Sequence, residues 1–171
     1  MSSPKPARRD TVIPTAGNAV AATEVREFLA FGLNNERFAL PLGAVREILK
    51  VMPISEVPRA PAHILGILAV RGRITTVIDL RRRLRMPPSD STRISRILLV
   101  DGGGEVIGVM VDEVHQVYRL HDDEMEYAQI VAGDISEYVL GIGRPGSRSQ
   151  EGAVNEDDIL ILLDPVPLLR R

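Results

Sequence analysis

The chain has 171 residues, sets 21 Lys and Arg against 23 Asp and Glu, and contains neither cysteine nor tryptophan. Its net charge of −2 supplies no global field to draw nucleic acid or an anionic membrane, and the lack of cysteine excludes disulfides, thiolate catalysis and cysteine-held zinc. Hydrophobic residues at 44% and charged residues at 26% are the composition of a globular protein, which at this length buries about 70% of its unfolded surface.

From the N-terminus, Met1–Thr23 is rich in small and polar residues, with Pro4, Pro6, Pro14 and Gly17, and has no secretory apolar run. It has no aromatic side chain and too few branched apolar ones to offset ordering entropy, so residues 1–26 are expected to be a disordered tail and 27–171 the folded domain. Phe28–Leu33 and Arg37–Leu42 flank Asn34-Asn35-Glu36 and predict a hairpin. Val45, Ile48 and Leu49 at i, i+3, i+4 predict a short helix with Glu47 on its polar side. Pro53, Pro58 and Pro61 predict an extended connector.

Two β-rich apolar runs then meet at Arg71-Gly72-Arg73, a strand reversal that presents two guanidinium groups. Arginine carries five fixed donors and a permanent charge, which suits it to docking a partner and not to acid–base chemistry. Leu80–Arg85 predicts a helical turn stopped by Pro87-Pro88. Ile94–Val100 and Val106–Val114 predict strands joined across Asp101-Gly-Gly-Gly-Glu105, with Val117–Leu120 extending that ladder. Tyr138–Ile142 and Ile159–Leu163 read as the last strands, separated by a polar loop over 143–158, and Pro165–Leu169 as a final helical turn. Many short strands against three short helical pieces predict an all-β fold in the broad sense, a barrel or a sandwich with few helices, rather than a parallel α/β sheet.

The chemistry-bearing motifs are thin. Gly141-Ile-Gly-Arg-Pro-Gly146 has dinucleotide-fingerprint spacing, but Pro145 and a polar stretch follow where a helix N-terminus is required. Gly102–Gly104 lacks the Lys-Ser/Thr ending of a phosphate loop. His63, His115 and His121 have no metal-ligand spacing, and Asp122-Asp123-Glu124 reads as a solvated acidic helix start. No Gly-x-Ser-x-Gly elbow is present. No catalytic residue, metal or cofactor is predicted. The basic cluster Arg81–Arg85 supports an alternative function as a nucleic-acid or small-ligand binder, although only six aromatic residues are available for base stacking. Glu47 and Arg71 are either a surface ion pair or a device that holds the arginine fork in one rotamer beside an apolar groove.

With these residues placed, the chain resembles the bacterial chemotaxis coupling-protein family, the CheW-like domain, over about residues 27–171. The carrying motifs are Phe28-Leu-Ala-Phe31, Phe38-Ala-Leu-Pro-Leu42, Val45-Arg-Glu-Ile48, Pro61-Ala-His-Ile-Leu-Gly66, Val70-Arg-Gly72, Ile78-Asp-Leu80, Ile107-Gly-Val-Met-Val-Asp112-Glu-Val114 and Leu160-Ile-Leu-Leu-Asp164, in this order. The family usually has Asn-Leu-Arg-Gly where this chain has Ala69-Val70-Arg71-Gly72. The resemblance implies two intertwined five-stranded SH3-like β-barrel subdomains and a cytoplasmic, non-enzymatic adaptor. Its partners would be a chemoreceptor cytoplasmic tip and the regulatory domain of a CheA-type histidine kinase, with no nucleic acid and no membrane insertion. It maps the receptor-facing surface onto Val45, Glu47, Arg71, Gly72 and Val117, and kinase-facing positions onto Gly66, Ile74 and Gly108.

Overall fold

Strands β1 (Val25–Leu33) and β2 (Glu36–Pro41) pair antiparallel across Asn34-Asn35, both in the left-handed region at φ 54° and 61°. That conformation matches the right-handed strand twist, and asparagine tolerates it better than most residues. The computed structural model describes Ser2 and residues 24–127, 136–147 and 158–170. The rest of the expected tail and most of the polar loop over 143–158 lie outside the described residues.

A 3₁₀ turn, Leu42–Ala44, leads into β3 (Val45–Lys50), where a helix was expected. The apolar positions 45, 48 and 49 fit either element. What decides is that Val45, Glu47 and Leu49 turn inward at the two-residue period of a strand, and β3 pairs with β6 (Arg96–Asp101). The sequence hides that period because a charged residue, Glu47, takes an inward position while the apolar Ile48 faces outward at 46% exposure.

After the proline connector, β4 (Ile64–Val70) and β5 (Arg73–Ile78) form the expected hairpin. The four-residue helix α1 (Leu80–Arg83) follows, its N-terminus capped by the Asp79 carboxylate, which accepts from the Arg82 N–H. β7 (Val106–Val111) then returns along β6. These elements build a five-stranded sheet in the order β3-β6-β7-β5-β4, in which a short parallel pairing joins β5 to β7.

The segment expected to extend that ladder is instead part of β8 (Glu113–His121), which crosses over and pairs with β1. A 3₁₀ turn (Asp122–Glu124), β9 (Met125–Tyr127), β10 (Val139–Gly143), β11 (Leu160–Leu163) and the four-residue α2 (Pro165–Leu168) complete the described chain. The second sheet runs β8-β1-β2-β11-β10-β9, six strands rather than five, with β11 parallel to β2. The fold is thus two curled β subdomains of SH3-like type, one inserted between β2 and β8 of the other.

The core explains why several strands are continuous apolar runs. Phe28 and Ala30 of β1, with Ala39, Leu160 and Leu162, fill the six-stranded barrel. Leu29, Phe31 and Leu33 point the other way and meet Leu98, Val100, Val109 and Val111 of the five-stranded sheet in a seam between the lobes. Leu68, Val77, Ile97 and Leu99 fill the five-stranded barrel. Strands β1, β6 and β11 therefore bury both faces, and alternation disappears.

Two acidic or glycine motifs find structural uses. Glu124, expected on a solvated helix start, is only 6% exposed, and its carboxylate accepts from the N–H groups of His121 (3.1 Å) and Gly146 (2.7 Å). A Cβ at Gly141 would stand 2.2 Å from the Glu126 carbonyl oxygen and one at Gly143 2.7 Å from Leu120, so these two glycines serve strand packing, while Gly146 takes a turn at φ 80°.

Candidate functional site

The β4–β5 reversal is a two-residue turn, Arg71-Gly72, with both residues at positive φ (48° and 78°) between the paired Val70 and Arg73. Glycine suits the second position; an arginine at the first holds a conformation costing about 1–2 kcal/mol for a residue with a Cβ. The backbone thereby aims Arg71 at β3, where Glu47 waits 24 residues earlier in sequence. Both terminal nitrogens of Arg71 donate to the two carboxylate oxygens of Glu47 in a fork-to-fork pair. The Arg71 hydrogen bond holds the Glu47 carboxyl below its usual range, and the same bond raises Arg71 further. The pair stays wet: side-chain exposure is 74% for Arg71 and 26% for Glu47. Its value lies in orientation, not in stability.

This pair spans one rim of a shallow depression of about 290 Å³. Arg73 joins it on the rim, while Val70, Thr75, Leu99 and Val106 form the floor. The floor is drawn from four strands, so no local sequence signal marks it. Gly72 sits at the turn itself with open space around its Cα. Val45 lies two residues before Glu47 on the same strand, half-buried against the inter-lobe core. Val117 belongs to the other sheet, on its edge strand β8, and is 44% exposed. The structure thus brings Glu47, Arg71 and Gly72 together, sets Val45 beside them on β3, and leaves Val117 on the second lobe.

The three remaining positions differ in kind. Ile74 is 70% exposed, on the face of β5 opposite the inward-turned Thr75. Gly66, at φ 152°, admits the Ser55 backbone: an added Cβ would stand 2.2 Å from the Ser55 carbonyl oxygen. Gly108 is buried, with Ile97 and Val77 methyls 3.2 Å from where a Cβ would go. Both glycines flank Val77, three residues along β5 from Ile74.

The basic cluster is occupied internally. Arg81 donates to the Pro87 carbonyl (2.9 Å) and to the Asp112 carboxylate (2.6 Å), which also accepts from the Asn34 N–H (2.9 Å). Arg82 donates to the Ala62 carbonyl (2.8 Å) and lies 3.4 Å from Asp79. Arg83 donates to the Leu168 carbonyl (3.1 Å) and covers the Tyr138 ring. Arg81 and Arg83 therefore strap α1 to the second lobe, and the cluster presents no free row of cations to phosphates. A larger open depression of about 430 Å³ lies between the β6–β7 turn and α2. There the Gly103 and Gly104 N–H groups already bond Asp101. Among the described residues no helix is long and apolar enough to cross a membrane.

The comparisons agree with this geometry. The CheW-like domain family model matches residues 27–171. A probable chemotaxis protein CheW of Rhizobium etli is 30% identical over 118 residues, covering 68% of this chain and 76% of its own. The chemotaxis protein CheW of Klebsiella aerogenes is 29% identical over 160 residues, covering 93% and 88%. The crystal structure of the scaffolding protein TtCheW from Thermoanaerobacter tengcongensis superposes with a TM-score of 0.75 at 27% identity, covering 86% of this chain and 94% of that one. Two inserted β lobes, a bidentate Glu–Arg turn and this match over nearly the whole described chain lead to one conclusion: the chain belongs to the CheW-like family and is a chemotaxis coupling scaffold.

Proposed function

We propose that the chain is a cytoplasmic, non-enzymatic adaptor that joins chemoreceptor cytoplasmic tips to the regulatory domain of a CheA-type histidine kinase, holding both at once. The carrying observation is the Glu47–Arg71 fork. It fixes a rotamer-rich arginine beside an apolar floor before any partner arrives, which removes part of the ordering cost of binding. The receptor tip docks on Val45, Glu47, Arg71 and Gly72, with Val117 as a contact from the second lobe. The kinase domain docks on the opposite side of the β4–β5 hairpin at Ile74, where Gly66 and Gly108 set the strand shape. Two modest contacts on one body become a stable array through effective concentration.

The test is pull-down with a receptor signalling fragment and with a kinase regulatory domain, separately and together. Arg71→Glu places two carboxylates face to face at the rim and abolishes receptor capture, while kinase capture and the thermal midpoint stay within a few degrees of the unaltered chain. A folded Arg71→Glu protein that still captures the fragment overturns the receptor assignment.

A further inference from the structure

Arg73 is the third charged group on the rim of the depression, and it differs from the other two. Glu47 and Arg71 satisfy each other. Arg73 is exposed and, among the described residues, its side chain makes no hydrogen bond or ion pair. The register Val70↔Arg73 and Leu68↔Thr75 is regular, so Arg73 and the inward-turned Thr75 share the face of β5 that lines the depression. The rim therefore carries one uncompensated positive charge above an apolar floor of Val70, Leu99 and Val106.

We propose that Arg73 is a specificity-determining residue: it selects a partner segment in which a carboxylate side chain sits beside an apolar one. The apolar residue covers the floor and the carboxylate takes the unpaired guanidinium. This complementarity is absent at Arg71, whose fork is already filled, so charge discrimination falls to Arg73. A buried, unmatched Arg73 would oppose any segment lacking the acid. The inference rests on the receptor reading and names the chemistry that reading leaves open.

Calorimetric titration of the full chain with a purified chemoreceptor signalling fragment from the same genome tests it, using the unaltered protein, Arg71→Glu, Arg73→Gln and Arg73→Glu. Arg73→Glu weakens binding about tenfold at low ionic strength, Arg73→Gln less, and the difference shrinks as salt rises. An acid-to-arginine change on the fragment restores affinity to Arg73→Glu. Affinity for the kinase regulatory domain stays unchanged in both Arg73 variants. Equal affinity of Arg73→Glu and the unaltered chain, with Arg71→Glu inactive, overturns this inference and leaves the receptor reading standing. An unaltered chain that fails to bind the fragment overturns both.

Discussion

Arg73 and Ile74 are consecutive along β5 and face opposite sides of it, Arg73 onto the charged rim and Ile74 outward at 70% exposure. Strand geometry makes this unavoidable, since successive side chains alternate. A single hairpin thereby presents two different surfaces within one residue step. Ile74→Asp is expected to abolish capture of the kinase regulatory domain and leave receptor capture intact, with a thermal midpoint shifted by no more than a few degrees, because a side chain this exposed buries little. Loss of both captures in a folded variant would contradict the two-sided arrangement.

Gly66 and Gly72 both have positive φ, but only one is crowded. Gly66→Ala drives a Cβ to within 2.2 Å of the Ser55 carbonyl oxygen and breaks the Ser55–Ile67 bridge, for an expected loss on the order of 3 kcal/mol. Gly72→Ala meets nothing within 4 Å and costs about 1 kcal/mol of left-handed strain. Urea unfolding of the two variants measures the difference; equal destabilisation would refute the steric account.

Asp101 links three elements. Its carboxylate accepts from Arg46 of β3 (2.8 Å) and from the N–H groups of Gly103 (2.9 Å) and Gly104 (3.2 Å). Arg46 first, and then the two glycine N–H groups, lower its pKa to about 2. Because the folded value lies below the unfolded one, the unfolded chain takes up the proton first as pH falls. The stabilisation is complete above the ordinary carboxylate range near pH 4 and disappears as pH drops through about 2. Carbon-13 titration of the Asp101 carboxyl should follow that low midpoint, and Arg46→Ala should move it upward. A midpoint that stays low without Arg46 would count against this cause.

Arg81 and Asp112 tie the lobes together at 2.6 Å, with the Arg81 side chain 12% exposed. Arg81→Ala leaves Asp112 with the Asn34 N–H alone and is expected to cost about 2 kcal/mol. A double-mutant cycle with Asp112→Ala should return a coupling of about 1 kcal/mol. The same variants should show no change in retention on DNA at low salt, since these cations are engaged within the protein. DNA retention that falls on Arg81→Ala would revive the nucleic-acid reading.

Much of the strand inventory was legible because turns announce themselves. Asn34-Asn35, Arg71-Gly72 and the glycines at 102–104 all lie where the chain reverses. β3 was not, because Val45, Ile48 and Leu49 satisfy a helical period while Glu47 turns inward and Ile48 outward, against their polarity. β8 could not be assigned to its sheet, since its partner β1 lies some ninety residues earlier and nothing local specifies it. The same limit applies to the site. Glu47 and Arg71 are legible as a pair from residue type, but the geometry that joins them, with β3 and β4 as the two edges of one curled sheet, has no local signal. Solvated arginines and internally bound arginines look alike in sequence, so the role of Arg81–Arg83 emerged only from their partners.

The insertion of one lobe within the other also sets an order of events on the ribosome. Residues 45–111 contain every strand of the inner barrel, so it can close while the rest of the chain is still being made. The β1–β2 hairpin, synthesised first, must wait for β11, because Phe38 and Ala39 find their parallel neighbours only at Ile161 and Leu162. Phe28, Phe31 and Phe38 therefore remain without their final cover until β11 has been made, and the nascent chain is most prone to aggregate in that interval.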